Sequence, residues 1–270
     1  MQNVIVNADD LGMNHQVNTA IESLIQDGLV TSSTIMTSGE AFDEAVEIAK
    51  KHPNISYGVH LCIDEFKPLT SERVFKQYGL TDNDGRFIRF SYLNLREADD
   101  IKEAIYNEWK AQILKVKNTG VHISHLDSHH HAHTYSFFYK IIERLSKEFC
   151  INKVRICLYK PLLIKYREKP VISLQKIDNI QSPKKKYSRF QIFKNNIDLG
   201  VSNYRLKKKY RTTDFFCPLR YYIANKLLLS HYDVIEIMVH PGLPYYQNET
   251  ELLPKLRQDS SLTLISYNEL

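Results

Sequence analysis

The stretch Gly120-Val-His-Ile-Ser-His-Leu-Asp-Ser-His-His-His-Ala-His133 decides the fold class, because a strand pattern runs directly into a histidine-rich turn. Residues 120–124 are short, alternating and β-branched, which is typical of a strand. Residues 134–148 then carry apolar side chains at helical spacing. A strand followed by a helix is the unit of α/β folds, in which the C-terminal ends of the strands carry the chemistry.

Strand and helix patterns alternate along most of the chain, which predicts an α/β fold built on a parallel sheet or barrel. We expect one (β/α) barrel domain over residues 1–270, TIM-like and irregular, with about seven strands. The expected strands are 2–8, 31–37, 55–63, 120–124, 154–156, 234–239 and 262–266, and the expected helices are 14–27, 41–51, 97–117, 134–148, 218–231 and 249–259.

Two segments interrupt this alternation. Residues 64–96 have turn signals and no clean period, so we interpret them as a long loop and a candidate lid. Residues 160–211 hold 15 Lys or Arg against 3 Asp or Glu, whereas the rest of the chain has 21 against 28. The sequence therefore predicts an acidic body with a basic insertion at 160–211.

The charge of this insertion leaves several partners open. It suits an anionic glycan, a nucleotide-sugar or lipid-phosphate carrier, or an acidic membrane surface. A solvated insertion or an oligomer contact is the alternative. Interleaved aromatic residues would also permit single-stranded nucleic acid, but the absence of a nucleic-acid-binding motif disfavours that partner.

Composition indicates a folded protein without a membrane segment. The chain is 43% apolar, and no apolar run reaches membrane-spanning length. Met1 directly precedes a strand pattern, so we expect no signal peptide. The four cysteines form no C-x-x-C pair, which predicts free thiols in the cytoplasm. A homodimer is the default expectation for the oligomeric state.

Five histidines and an aspartate lie between His125 and His133, a density that indicates a divalent metal. If this stretch were extended, His129, His131 and His133 would face one way and His130 the other. The alternative is a solvated histidine-rich turn, which a ligand from elsewhere in the chain would exclude.

Polar residues end three other apolar strands: the pair Asp9-Asp10, His60 and His240. Each has an ordinary structural explanation, such as a turn, a helix cap or a core histidine. In a barrel, however, these ends converge. One carboxylate and two histidines can hold a divalent ion with open positions, a second carboxylate can act as general base, and His240 can protonate a leaving group.

Four sequence blocks carry a resemblance to a known family. They are Val6-Asn-Ala-Asp-Asp-Leu-Gly12, Gly58-Val-His-Leu61, His125-Leu-Asp-Ser-His-His-His-Ala-His133 and Glu236-Ile-Met-Val-His-Pro-Gly242. In this order they resemble the signature blocks of the YdjC-like carbohydrate deacetylase family, which includes chitooligosaccharide deacetylases. The resemblance spans residues 2 to about 157 and 212 to the end, and leaves 158–211 unaligned.

The resemblance implies a (β/α) barrel and metal-dependent removal of acetyl groups from N-acetylated sugars. By the same resemblance Asp10, His60 and His129 match metal ligands, Asp9 matches the base, and His240 lies in the last catalytic motif.

The remaining matched residues have less defined roles. Asp127 is expected to orient a histidine from behind. Arg155 matches a basic position that holds the base or touches substrate. His125, His131 and His133 would line the pocket or serve structure.

The expected cofactor is a divalent ion, Mg²⁺ or Zn²⁺, because family members are commonly described with magnesium and two histidines with a carboxylate suit zinc. The expected substrate is an acetylated amino sugar or oligosaccharide, in a form that is anionic or carrier-linked. Two alternatives remain: a catalytically silent barrel that binds glycan or nucleic acid, and a deacylase acting on a non-sugar amide or ester.

Overall fold

A computed structural model of the 270-residue chain describes residues 1–70, 72–90, 95, 98–157 and 189–270. Within these residues, parallel strands alternate with helices for most of the length. The strands are β1 (Gln2–Leu11), β2 (Ser32–Ile35), β3 (Ser56–Leu61), β4 (Ile123–Ser128), β5 (Phe215–Pro218), β6 (Val234–Val239) and β7 (Leu262–Leu264), and the helices are α1 (His15–Gln26), α2 (Phe42–Lys51), α3 (Glu72–Gln77), α4 (Asp99–Lys117), α5 (Ser136–Phe149), α6 (Arg189–Lys209), α7 (Leu219–Leu229) and α8 (Gln247–Arg257).

The strands form one parallel sheet in the order β4-β3-β2-β1-β6-β5, and β7 pairs with the start of β1. The sheet curls into a half-barrel. Beyond β4, single parallel bridges join Leu126 to Val154 and Lys153 to Arg211. The α/β prediction is therefore confirmed, whereas the described strands do not form a complete TIM barrel.

Strand β1 is the centre of the sheet because three strands pair with it. Its residues 3–8 pair with β6, residues 2–4 pair with β7, and residues 7–11 pair with β2. Its side chains from Val4 to Leu11 are buried on both faces. A strand covered on both faces is typical of parallel sheets, and here it carries Asp9 and Asp10 into the interior.

The helices follow from amphipathic patterns and local capping. At the start of α1, the Asn14 side chain accepts a hydrogen bond from the Val17 N–H, which satisfies one free backbone donor. Helix α4, predicted at 97–117, begins at Asp99 and buries Trp109 completely. Its partner α5 packs on it through Phe138, whose ring lies 5.2 Å from the Trp109 ring.

Several elements differ from the sequence prediction. Strand β1 continues to Leu11 and β4 to Ser128, so both include polar residues that were expected to follow them, and β4 begins at Ile123 rather than at residue 120. The strand predicted at 154–156 is only an isolated bridge, and β5 precedes the helix predicted from 218. The longer strands carry polar side chains into the interior of the curled sheet. Ion pairs and hydrogen bonds there compensate the cost of burying them.

The segment 64–96, interpreted as a loop, contains a helix and buried side chains among its described residues. Helix α3 lies in it, and Phe75 and Phe87 are buried with their rings 4.9 Å apart. The buried Glu108 of α4 accepts hydrogen bonds from the N–H groups of Leu69 and Thr70. These contacts fix the segment to α4 beside the C-terminal end of β3.

The basic segment predicted at 160–211 lies partly outside the described residues, since 160–188 are not described. Its second part is α6, whose Asp198 accepts a hydrogen bond from the Ser136 N–H at the start of α5. Asp198 of α6 therefore caps the N-terminus of α5, and this contact joins α6 to the rest of the fold. Among the described residues, no helix combines the length and the apolarity needed to span a membrane.

Candidate metal centre and active site

Asp10, His60 and His129 meet although they come from different parts of the chain. Asp10 lies near the end of β1, His60 in β3, and His129 directly after β4. His60 Nε2 is 3.3 Å and His129 Nδ1 is 3.1 Å from the same oxygen, Asp10 Oδ1. All three residues are buried. The sequence prediction had grouped these residues as ligands, and the fold brings them together.

This geometry fits a divalent cation. Nitrogen and oxygen ligands at about 2.0–2.1 Å from a four-coordinate ion lie about 3.3 Å from one another. Asp10, His60 and His129 each offer a ligand atom within 4.8 Å of the others. Two neutral imidazoles and one carboxylate leave coordination positions for water and substrate. The donor set therefore suits a hydrolytic metal site.

His60 is oriented by a carboxylate on its other ring nitrogen. Its Nδ1 lies 2.8 Å from Asp127 Oδ1, which leaves Nε2 directed at Asp10. Burial lowers the pKa of His60, but the charge of Asp127 and the hydrogen bond to Asp10 outweigh burial and raise it to about 9. The position therefore favours positive charge, and orientation of a metal-ligating histidine by a carboxylate is a common arrangement.

The electrostatics of Asp10 and His129 point the same way. Burial raises the pKa of Asp10, but His129 and His60 together hold it well below its usual value. Burial lowers the pKa of His129, and Asp10 and Glu65 raise it well above its usual value. An ionised carboxylate facing two rings that favour positive charge marks a place where a cation is stabilised.

Asp9 points away from Asp10 and into a network of buried ion pairs around Arg155. Arg155 Nη1 and Nη2 donate to its two carboxylate oxygens at 2.8 and 2.7 Å, and Asn7 Nδ2 donates to Oδ1 at 2.8 Å. A second set of possible ligands, Asp9 with His60 and Asp127, also lies within 4.8 Å. The guanidinium already neutralises Asp9 and Asp127, so this second set is the poorer cation site.

Arg155 is completely buried and pairs with three carboxylates. Besides Asp9, its Nη1 lies 2.6 Å from Asp127 Oδ2 and its Nε donates to Glu236 Oε1 at 2.8 Å. Glu236 in turn accepts from the Tyr267 hydroxyl at 2.5 Å. Sequence reasoning assigned no role to Glu236, although a charged residue between apolar neighbours in a strand was a usable signal.

His125 and His133 serve the structure of this interior. The His125 ring stacks on Tyr267 at 3.6 Å, and burial lowers its pKa to about 3. A Cβ on Gly58 would lie 2.6 Å from the His125 ring, so glycine is required there. His133 bonds Ser128 Oγ through Nδ1, and burial lowers its pKa to about 4.

The stretch His129–His133 is not extended, so the alternation of faces that an extended chain would give does not occur; residues 129–134 form a tight 3₁₀ turn. His130 and His131 adopt left-handed backbone angles, with φ of 49° and 58°. His131 packs edge-on against Phe216, 5.2 Å away. His130 faces Asp64 instead, at 2.7 Å. Consecutive left-handed residues without glycine cost roughly 1–3 kcal/mol each and tend to occur at functional sites.

His240 follows β6 and stacks on Tyr246 with ring centroids 4.3 Å apart. Its backbone N–H donates to Glu249 at 2.9 Å, and its Nδ1 has no hydrogen-bond partner among the described residues. Burial lowers the pKa of His240, and the charges of Asp9 and Asp10 oppose this. Because Val239 pairs with Ala8 of β1, His240 lies at the same end of the sheet as the two aspartates.

Sequence reasoning missed the acidic residues that follow β3. Glu65 Oε2 lies 2.8 Å from His129 Nε2, the ring nitrogen that does not face Asp10. Asp64, which is buried, is hydrogen-bonded to His130. No spacing rule reveals these contacts, because Glu65 and His129 are 64 residues apart in an irregular segment.

Comparison with known proteins bears on these observations. A family model described as "YdjC-like protein" matches residues 3–267. A carbohydrate deacetylase of Vibrio parahaemolyticus is 40% identical over 145 residues, which cover 54% of this chain and 55% of that protein. The alignment thus spans about half the length of that relative.

Two further matches extend over almost the whole chain. A carbohydrate deacetylase of Halalkalibacterium halodurans is 27% identical over 266 residues, 97% of this chain and 99% of that protein. A crystal structure from Enterococcus faecalis V583, described as that of a candidate cellobiose-phosphate cleavage protein, superposes with a TM-score of 0.69 at 22% identity and covers 99% of this chain and 98% of that one. The second likeness establishes the fold only.

Proposed function

This chain belongs to the YdjC-like protein family, and from that premise we propose that it is a metal-dependent hydrolase that removes acetyl groups from N-acetylated sugars. The single observation that carries the proposal is the convergence of His60 Nε2 and His129 Nδ1 on Asp10 Oδ1. The names of the Vibrio and Halalkalibacterium relatives supply the substrate class.

In this proposal Asp10, His60 and His129 hold the divalent ion. When bound, the ion would polarise the amide carbonyl and make water more acidic. Mg²⁺ and Zn²⁺ are both candidates, and the two imidazoles favour Zn²⁺ over the oxygen-rich sites that Mg²⁺ selects.

Asp9 is the proposed general base. Its Oδ1 already accepts from Asn7 and Arg155, whereas Oδ2 accepts only from Arg155. A carboxylate oxygen has two lone pairs, so Oδ2 retains one for the proton of the attacking water. Arg155 is the proposed positioning residue, because its bidentate grip fixes the direction of the carboxylate.

His240 is the proposed proton donor to the leaving amine. Its Nδ1 is buried and is not committed to any described protein group. The lowered pKa makes its protonated ring a stronger acid, which favours donation to an amine. Hydrolysis then adds one water across the amide bond and yields acetate and a free amino sugar.

The substrate's form and the cellular setting belong to the same proposal. The exposed lysines 207–209 at the end of α6 would favour an anionic or carrier-linked sugar. All four cysteines are free thiols, which supports a cytoplasmic location. A homodimer stays a prediction, and a silent binding barrel is not favoured because the buried ligand set is complete.

The test is acetate release from N-acetylglucosamine oligomers, nucleotide sugars and small acylated amines, with and without a chelator. We expect release from a sugar that stops with chelator and returns with the metal. Asp9→Asn should lower kcat by about 10²–10⁴-fold, whereas Asp43→Asn on the exposed face of α2 should leave it unchanged. Release only from small acylated amines would favour the non-sugar alternative, and full activity in Asp9→Asn would remove the base assignment.

A further inference from the structure

The C-terminal ends of β3 and β4 carry a second group of metal-ligating side chains. The two strands are neighbours, and Leu61 pairs with Ser128 at their ends. The chain therefore leaves the sheet at the same place twice. We define the rim cluster as the four residues that follow at this place: Asp64, Glu65, His129 and His130.

The rim cluster is compact. His130 Nδ1 lies 2.7 Å from Asp64 Oδ2, and His129 Nε2 lies 2.8 Å from Glu65 Oε2. The two imidazole rings are 4.0 Å apart. Asp64, His129 and His130 each offer a ligand atom within 4.8 Å of the others. This spacing is as tight as that of Asp10, His60 and His129.

The backbone at His130 is an independent observation. Its φ of 49° is left-handed, and the following residue, His131, is left-handed too. With this backbone, His130 faces Asp64 while His129 faces Asp10. Strain that persists in a folded protein is compensated by its surroundings and is concentrated at ligand sites.

The charge of the rim cluster matches a dication. Its two carboxylates carry a charge of −2, and His130 is a neutral nitrogen donor. The two imidazole nitrogens and the Asp64 oxygen, which lie within 4.8 Å of one another, are donor types that zinc-class cations prefer. Asp64 is buried, whereas the side chains of Glu65 and His130 are 42% and 30% exposed, so an ion can enter from solvent.

We propose that the rim cluster binds a second divalent cation of the zinc class, next to the cation held at Asp10. His129 serves both ions, with Nδ1 toward Asp10 and Nε2 toward Glu65. Sharing one ring requires that both of its nitrogens lose their protons, and metal binding displaces protons from its ligands. We therefore expect the second ion to bind more weakly than the first.

The experiment is a Zn²⁺ titration of the full, untagged chain, followed by calorimetry and by metal analysis after dialysis against buffered Zn²⁺. We expect two equivalents for the unaltered chain. Asp64→Asn and His130→Asn should each bind one, and asparagine tolerates the left-handed backbone at position 130. The matched control is His15→Asn, which removes an exposed histidine 2.8 Å from Glu44 and should keep two equivalents.

Two results would overturn the proposal: a single equivalent in the unaltered chain at every Zn²⁺ concentration, or two equivalents retained by both rim variants. Circular dichroism of each variant separates a lost site from a lost fold. The inference uses the proposed centre only through His129. If no acetylated sugar is hydrolysed while two equivalents still bind, the proposed function fails and the rim site stands.

Discussion

His60 and His129 face the same carboxylate, Asp10, but they are supported in opposite ways. His60 is backed by Asp127, which is fully buried and also pairs with Arg155. His129 is backed by Glu65, whose side chain is 42% exposed and lies in an irregular segment. We call the first the inner pair and the second the rim pair.

The comparison teaches that burial, rather than the hydrogen bond, sets the strength of each pair. Both pairs have a nitrogen–oxygen distance of 2.8 Å. Water screens the exposed rim pair, so it contributes about 0–1 kcal/mol. The inner pair lies in a fully buried network of ion pairs, where removing a partner leaves a charge without compensation. The inner pair can therefore fix geometry, and the rim pair can change when a ligand arrives.

The largest expected effect comes from removing Arg155, the centre of the buried ion-pair network. Arg155→Met leaves Asp9, Asp127 and Glu236 buried without their common partner, and we expect the free energy of unfolding to fall by about 3–5 kcal/mol. The measurement is urea unfolding by circular dichroism. Arg205→Met is the matched control, since Arg205 is exposed and lies over the Tyr139 ring. Equal losses of unfolding free energy in the two variants would refute the distinction between a buried ion-pair network and a surface charge.

The next effect compares the two pairs directly. Asp127→Asn should weaken metal binding at Asp10, the tighter site, by about 10–100-fold. The substitution removes the carboxylate that orients His60 and, with it, the negative charge that the ring faces. Glu65→Gln should weaken metal binding at the same site only a few-fold, since solvent already screens the charge of the partly exposed Glu65. Calorimetric titration of the first metal equivalent measures both. A larger loss in Glu65→Gln would reverse the assignment of inner and rim roles.

The smallest effect concerns pH. Burial raises the pKa of Glu249 to about 7, although the His240 N–H bond opposes the rise. The native state therefore holds a proton that the unfolded chain has released, and stability falls as pH rises from about 4.5 to 7. Glu249→Gln keeps the acceptor oxygen and should be more stable than the unaltered chain above pH 7, by on the order of 2 kcal/mol.

This difference should vanish below about pH 4.5, where both forms are neutral. Thermal melts between pH 4 and 8 provide the measurement. Glu251→Gln is the control, because Glu251 is exposed on the same helix and its substitution should change little at any pH. A difference that is constant across this range would contradict the role of ionisation.

Sequence reasoning predicted much of the scaffold and brought the right residues into one group. Apolar runs separated by helical patterns predicted the parallel α/β sheet, polar residues at four strand ends predicted a shared site, and the family resemblance singled out Asp10, His60 and His129, which lie together in the structure. It failed where backbone geometry departs from regular structure. The two left-handed residues in the turn after β4 were not foreseen, and the bridge at Val154 was predicted to be a strand.

The sequence by itself determined which chemistry is available: carboxylates or histidines at four strand ends, in an order that resembles one family. Only the tertiary structure decided how these groups are paired. Arg155 and Asp9 are 146 residues apart, and His60 and Asp127 are 67 apart. The physical reason is that pairing depends on burial and direction, which local spacing does not encode. A side chain's neighbours and its exposure to water arise only when the sheet curls and the strand ends converge.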